Sequence, residues 1–308
     1  MVSDPFSDIL KLTNAESVVS GGFAAGGRWA LRFPDMDKIS FSALVKGALW
    51  LTLAGEPQPV RVEAGDLLLL APRRSFILAS DLDVAPVDAV VAFAENVNGM
   101  AQVGEGEDCV QIGGFIRLDP ASGPLLVGVL PPLIHVQAAS PHATVIRWLV
   151  DQLIRERSSD LPGAALASKH LAQLMFVQIL RAHLETSAPL AAGWLRAAGD
   201  KRIAPALRLM HADPARAWQL EELARAAAMS RTTFAVHFKS AAGVAPLTYL
   251  TEWRMRLAER ALREENVPVA ALARSLGYTS ESAFSNAYKR VTGSAPKRYR
   301  TAIRSAAG

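Results

Sequence analysis

Arg231, Thr232, Ala235, Val236 and Lys239 fall on one face of a segment whose other face carries Phe234 and Phe238 at i, i+4. A small, hydroxylated and basic face backed by aromatic rings suits recognition of a DNA major groove by hydrogen bonds and ionic contacts. It does not suit bond-making. No Ser/His/Asp grouping, phosphate loop or metal-ligand spacing occurs in the 308 residues. The expectation is a binding protein without chemistry of its own and without a cofactor or metal.

The elements that must position this face are duplicated. Leu223-Ala224-Arg225, Ser230, Phe234, Phe238-Lys239, Gly243, Pro246 and Tyr249 recur as Leu272-Ala273-Arg274, Ser280, Phe284, Tyr288-Lys289, Gly293, Pro296 and Tyr299. The offset is 49 residues for the first block and 50 from Ser230/Ser280 onward, so one residue is added near Thr279. A repeat of this period marks a duplicated supersecondary unit. Leu220, Leu223, Ala224 and Ala227 form an apolar face at helical spacing. Ser230 can cap the next helix through its hydroxyl, and Gly243 can stop it. In the second copy Gly277 supplies the turn, Thr279 or Ser280 the cap and Gly293 the stop. Each copy therefore predicts helix, tight turn, helix. Two amphipathic helix pairs in an ordinary helical domain are the plain alternative, which the shared order of cap, aromatics, Lys, Gly, Pro and Tyr disfavours.

These residues resemble the AraC/XylS family of transcription regulators. The likeness runs from Trp218 to Arg300 and includes Ala-Ala-Met-Ser-Arg (227–231), Trp-Arg-Met (253–255), Gly-Tyr-Thr-Ser-Glu-Ser-Ala-Phe (277–284) and Gly-Ser-Ala-Pro-Lys-Arg-Tyr-Arg (293–300). It implies two helix–turn–helix subdomains joined by a helix from about Pro246 to Arg263. At about 1.5 Å per residue that linker is on the order of 25 Å long. It also implies base readers at Arg231, Thr232, Ala235 and Val236 in the first copy and at Glu281, Ser282, Ala283, Ser285 and Asn286 in the second. Ser230, Lys239, Arg254, Arg256, Lys289, Lys297 and Arg298 are the implied phosphate contacts, which position without reading sequence. The partners implied are double-stranded promoter DNA, RNA polymerase and a second copy of the chain, with activation the commoner outcome. Three departures matter. Val236 and Asn286 stand where Arg is frequent; Val236 can touch a thymine methyl and Asn286 can pair with adenine. Ala228 stands where the turn usually has Gly, and a positive φ there would be strained, so a slightly remodelled turn is expected.

Charge agrees with this division. Residues 200–308 hold 18 Lys/Arg and 9 Asp/Glu, a net of +9, whereas residues 1–199 hold 15 and 20, a net of −5. A basic third beside an acidic remainder fits a phosphate-binding module attached to something else.

The length predicts two domains and the 50% hydrophobic content is ample for their cores. Residues 28–120 read as short strands separated by turn signals, which predicts a small antiparallel β-barrel or jelly roll. The fold class expected is α+β multidomain, divided as 1–140 sensor barrel, 141–199 helical dimerisation or linker region and 200–308 DNA-binding domain. Lys46-Gly47, Glu63-Ala-Gly-Asp66, Ala71-Pro72 and Leu130-Pro-Pro-Leu-Ile-His135-Val resemble the cupin sensor of one branch of the same family. Metal-binding cupins use clustered His with Glu. Here Phe41 and Phe76 stand at such places and no His precedes His135, which argues against a cupin enzyme fused to a DNA module. An apolar interior suits either a small-molecule effector pocket or a filled core; Trp29, Phe41, Trp50, Phe76 and His135 are its candidate lining. Cys109, the only cysteine, reads as a core residue or a redox sensor, with Glu107 and Asp108 disfavouring its thiolate. Val145, Trp148, Leu149, Leu153 and Ile154 form one helical stripe, and a second helix follows the Ser158–Gly163 break; these helices can pack on the barrel or pair two copies. The N-terminus lacks an apolar signal core and no stretch is long enough to span a bilayer, so a cytoplasmic chain without membrane contact is expected.

Overall fold

A computed structural model describes residues 4–94, 99–158, 161–185, 190–265 and 267–307. The chain divides into two compact units, Met1–Asn14 with Pro189–Gly308, and Ala15–Ala188. The first helix, α1 (Pro5–Leu12), thus belongs with the C-terminal residues, whereas a division at residue 140 would place it with the strands. Among the described residues no helix is long and apolar enough to cross a membrane.

The unit Ala15–Ala188 is built from strands β1 (Glu16–Ala25), β2 (Ala30–Phe33), β3 (Ile39–Lys46), β4 (Ala48–Leu53), β5 (Val60–Glu63), β6 (Leu67–Leu70), β7 (Phe76–Ala79), β8 (Val87–Asp88), β9 (Met100–Val103), β10 (Cys109–Arg117) and β11 (Leu133–Val136). Short helices α2 (Ala89–Ala92) and α3 (Pro124–Val127) interrupt them. One sheet has the order β11-β6-β3-β10-β1-β9 and the other β5-β4-β7-β2-β8. The expected barrel is therefore two sheets that do not close on one another. The chain leaves the first sheet after β3 and enters the second at β4 through Gly47, whose φ is +80°. A Cβ at Gly47 would lie 2.1 Å from the Asp108 carbonyl oxygen, so glycine is required where the chain changes sheet. Leucines from both sheets share the core: Leu44, Leu68 and Leu70 from one, Leu31, Leu49, Leu51 and Leu78 from the other.

β1 and β10 form a long antiparallel pair, from Glu16↔Arg117 to Ala25↔Cys109, with a register shift between Val19 and Gly21. Ser20-Gly21-Gly22 and Gly113-Gly114 lie inside these strands. They serve close backbone approach: a Cβ at Gly114 would meet the Val18 carbonyl oxygen at 2.0 Å, and one at Gly22 the Gln111 carbonyl oxygen at 2.1 Å.

α4 (Ala143–Ser158) and α5 (Ala164–Glu185) pack on each other, and α5 packs on β1 and β11. α5 buries Ala172, Met175, Phe176, Ile179 and Leu180, and Gln173 Oε1 accepts from the Ser17 backbone N–H at 2.9 Å. On α4 the buried residues are Ile146, Leu149, Val150 and Leu153. Val145 and Trp148 of the expected stripe are 45% and 55% exposed.

The other unit holds α6 (Trp194–Gly199), α7 (Ala204–Ala212), α8 (Leu220–Ala226), α9 (Arg231–Ala242), α10 (Pro246–Glu264), α11 (Val269–Ser275), α12 (Glu281–Thr292) and α13 (Pro296–Ala307), with α1 packed among them. α10 has 19 residues, about 28 Å of helix. Tyr249, near its start, meets Phe238 of α9 edge-on at 5.6 Å. Met255, Ala258 and Leu262, further along, join the core of α11 and α12. One helix therefore carries both helix–turn–helix copies.

α1 is capped by Asp4, which accepts from the Ser7 N–H at 3.0 Å, and starts on Pro5. It buries Ile9, Leu10 and Leu12, each contributing about 1.5–3 kcal/mol if fully removed from water. Phe6 meets the Trp194 ring at 6.3 Å. Asp8 reaches the His211 ring at 3.1 Å, and the other ring nitrogen lies 2.8 Å from the Tyr249 hydroxyl. An ionised carboxylate only accepts, so His211 Nδ1 donates to Asp8. The His211 ring stacks on Trp253 at 4.1 Å.

This docking predicts that residues 190–308 alone form a weakened unit. The same fragment with residues 1–14 attached through a flexible linker should melt roughly 10 °C higher in calorimetry. Equal melting temperatures would mean that α1 adds nothing to the unit.

Candidate nucleic-acid interface and effector pocket

The second helices of the two copies, α9 and α12, start and stop in the same way. Ser230 Oγ accepts from the Thr233 N–H at 3.2 Å, and Ser280 Oγ accepts from the Ala283 N–H at 3.1 Å. The second cap is thus Ser280 and not Thr279. α9 ends on Gly243 at φ +81° and α12 on Gly293 at φ +78°, each donating to the carbonyl of Lys239 or Lys289 at 2.9 Å. Behind α9 stand Phe234, Phe238 and Tyr249, with neighbouring centroids 5.5 and 5.6 Å apart. Behind α12 stand Phe284, Tyr288 and Tyr299, at 5.8 and 6.0 Å. The repeated aromatic positions of the sequence are thus one three-ring support made twice.

That support leaves the opposite faces outward. Arg231, Thr232 and Val236 are exposed and Ala235 is half-buried; Ser282, Ala283 and Asn286 are exposed, with Glu281 and Ser285 half-buried. Val236 is 67% exposed, which the packing of the unit does not require. The turns differ as the sequence offset predicts: one residue, Met229, separates Ala228 from the cap in the first copy, and two, Tyr278 and Thr279, separate Gly277 from it in the second. Ala228 adopts φ +51°. The turn is not remodelled around the alanine; the alanine takes the left-handed conformation that Gly277 takes at +81°.

The implied phosphate contacts fall into two groups. Ser230, Lys239, Lys289 and Arg298 are exposed. Among the described residues, Lys239, Lys289 and Arg298 pair with no carboxylate. The others are engaged. Arg254 donates to the carbonyls of Pro214 and Arg216, so it ties the loop before α8 to α10. Arg256 pairs with Glu259 at 2.9 Å. Lys297 pairs with Glu281 at 2.9 Å, although both are partly exposed. Arg290, exposed beside Lys289, is a further cation on α12; its neighbour in the sequence is the signal that could have found it.

Between the two sheets lies a pocket of about 240 Å³. Phe41 and Phe76 line it, and the other three sequence candidates do not. Trp29 is buried edge-on against Phe23 at 5.3 Å. Trp50 lies between inward-facing Leu49 and Leu51 and so points outward, where the Arg61 guanidinium sits 5.2 Å above its ring. His135 is held by Asp66 at 2.7 Å, and the other oxygen of Asp66 accepts from the Ala138 N–H at 2.7 Å. The lining that was missed includes Phe23, Phe33, Phe93 and Gln111. Gln111 was open to detection as an amide at the inward parity of Cys109 on β10. Aromatic, aliphatic, hydroxyl and amide groups and the single Met36 thioether form this lining, with no carboxylate, imidazole or thiol to hold a metal ion. Among the described residues no three His, Cys, Asp or Glu side chains cluster to hold one.

Cys109 is 3% exposed and belongs to the shared core. Burial pushes its thiol up to about 11, with Arg61 acting weakly in the opposite sense. The cause is loss of water and not the adjacent carboxylates.

In comparison with known proteins, residues 4–185 match the family described as "Cupin" and residues 223–302 the family described as "Helix-turn-helix domain". A putative AraC-like transcription regulator of Streptomyces antibioticus is 42% identical over 297 residues, 96% of this chain and 98% of that relative. The HTH-type transcriptional regulator AlkR of Acinetobacter baylyi is 29% identical over 290 residues, 89% of this chain and 91% of the relative. Among solved structures, the DNA-binding domain of AdpA in complex with a target DNA has 32% sequence identity and a TM-score of 0.33, covering 34% of this chain and 96% of that one.

Two expectations follow from the geometry. A Cβ at Gly277 would lie 1.9 Å from the Ala215 carbonyl oxygen, so Gly277→Ala should cost roughly 3 kcal/mol in denaturant unfolding. Ala228→Gly should stay within about 0.5 kcal/mol, since relief of the left-handed strain is offset by a more flexible unfolded chain. For Cys109, a raised pKa keeps the neutral thiol at pH 7.5. Its labelling by a thiol reagent in the folded protein should be at least ~100-fold slower than in denaturant.

Proposed function

The chain belongs to the AraC-like family of transcription regulators, with a DNA-binding helix–turn–helix domain, and from that premise we propose how it reads DNA and what controls it. α9 and α12 read successive major grooves of promoter DNA. The carrying observation is that two helices with the same serine caps and matching three-ring aromatic supports turn small, polar and basic faces to solvent. Arg231, Thr232, Ala235 and Val236 address one set of base edges, and Ser282, Ala283, Ser285 and Asn286 the other, with Glu281 at the rim held by Lys297. Val236 meets a thymine methyl and Asn286 an adenine. Ser230, Lys239, Lys289 and Arg298 hold phosphates. Arg254 acts within the protein, bracing the loop before α8.

A small-molecule effector enters the pocket between the sheets and shifts the population of the DNA-binding state. The regulator works in the cytoplasm as a homodimer, activates transcription through RNA polymerase and performs no reaction itself. Val145 and Trp148, exposed on α4, support that helix as the pairing surface. The buried, neutral thiol of Cys109 gives no support to a redox switch.

The test is a DNase footprint on DNA upstream of the chain's own and neighbouring genes at two salt concentrations. Two protected blocks about one helical turn apart, weakening steeply with salt, are expected. Asn286→Ala should lose about 1–3 kcal/mol of binding, and Val236→Ala less than about 1 kcal/mol. Equal losses would remove the asymmetry between the copies. In sedimentation the full chain should be a dimer and Trp148→Glu a monomer; an unchanged dimer would move the interface off α4.

A further inference from the structure

The pocket between the sheets has a chemical polarity of its own. On β10, Gln111 shares the inward parity of Cys109 and pairs in register with Phe23, and both of these belong to the shared core. Gln111 is only 6% exposed, and its buried Oε1 accepts no hydrogen bond. On the neighbouring strand, Ser40 and Ser42 also line the pocket. Gly113, in register opposite Ser42, contributes no side chain there. With Ser20 of β1, one wall of the pocket is thus a glutamine and three hydroxyls around a glycine-lined space. The facing wall is aromatic: Phe33 and Phe76 are stacked at 4.6 Å, and Phe93 lies 5.9 Å from Phe33 and 6.0 Å from Phe23.

Among the described residues no lining side chain is charged. An anion or cation would leave water for a pocket whose described lining offers no counter-charge, which is strongly disfavoured. A polyol would leave most of its hydroxyls against phenyl rings. A buried acceptor without a donor is also a cost that a leucine at position 111 would avoid. The Gln111 amide lines the pocket and is the group that a ligand hydroxyl can meet. The volume, about 240 Å³, exceeds the roughly 150 Å³ of an apolar cavity that holds one benzene.

We propose that this pocket takes a neutral one- or two-ring aromatic molecule carrying a single hydroxyl, with its ring against Phe33, Phe76 and Phe93 and its hydroxyl hydrogen-bonded to the Gln111 side-chain amide. This rests on the reading of the unit as an effector sensor and names the effector's class.

The test uses the full chain and three bicyclic probes of nearly equal size: 2-naphthol, 2-methylnaphthalene and 2-naphthoate. Titration calorimetry should find 2-naphthol about tenfold tighter than 2-methylnaphthalene, the equivalent of about 1.4 kcal/mol, and 2-naphthoate weaker still. Gln111→Leu should fold at least as stably and bind the first two probes within about twofold of each other. Tighter binding of 2-naphthoate, a retained tenfold preference in Gln111→Leu, or binding of none of the three would overturn the assignment. A second readout, anisotropy of a labelled promoter fragment, separates it from the sensor reading. The predicted selectivity with unchanged DNA affinity would keep the ligand class and remove the sensor role. A response of DNA affinity to an anion or a sugar would keep the sensor role and remove the ligand class.

Discussion

Three aromatic rings behind the second helix of each helix–turn–helix set what that helix can present. Phe234, Phe238 and Tyr249 support α9; Phe284, Tyr288 and Tyr299 support α12. Each tilted or edge-on pair adds about 0.5–1.5 kcal/mol beyond the area it buries. More importantly, the rings occupy one side of the helix completely, so rotation about the helix axis is closed off and the polar side must face outward. The third ring of each set comes from the next helix, just after its opening proline. Tyr249 therefore fixes the start of α10 against α9, and α10 in turn carries the second copy. The spacing from serine cap to tyrosine is kept in both copies because one packed cluster needs all of its members.

The same packing gives α1 its role. His211 cannot be buried without partners, since each ring nitrogen would lose a hydrogen bond. Asp8 satisfies one nitrogen and Tyr249 the other, while Trp253 covers the ring face. Burial also drives the Tyr249 hydroxyl far above the ordinary phenol range, with the Asp8 and Glu252 charges adding to the effect, so it remains a neutral hydrogen-bonding group. The beginning of the chain is thereby built into the unit that contains its end.

In the sheet-rich unit the governing constraint is close backbone approach. Glycines at positions 22 and 114 let β1 and β10 come together where any Cβ would strike a carbonyl oxygen. With side chains absent there and at Gly113, volume remains beside Gln111. The pocket is the consequence of strands that carry glycine where a filled core would carry valine or leucine.

Much of the reading unit was legible from sequence because its signals are local. Serine caps act over three residues, glycine stops over four, and the i, i+4 aromatics define a face without reference to the rest of the chain. The exposed face of α9 could be written from such short-range rules; the extra residue before Ser280 came from the offset of the repeat, and the extent of α10 from the family resemblance. The strands from Ala30 to Ala79 were legible for the same reason. β1 was not, because strand glycines and turn glycines look alike until the partner strand is known. The sequence alone determined the repeated helix–turn–helix pairs, their serine caps and glycine stops, and which face of each is apolar. Tertiary structure decided the rest: that two sheets stay open, that Arg254 braces a loop, that only Phe41 and Phe76 of five candidates reach the pocket, and that Asp8 meets His211 across 203 residues of chain. Contacts of that separation leave no periodicity in the sequence, since their partners are chosen by shape and burial once the local elements exist.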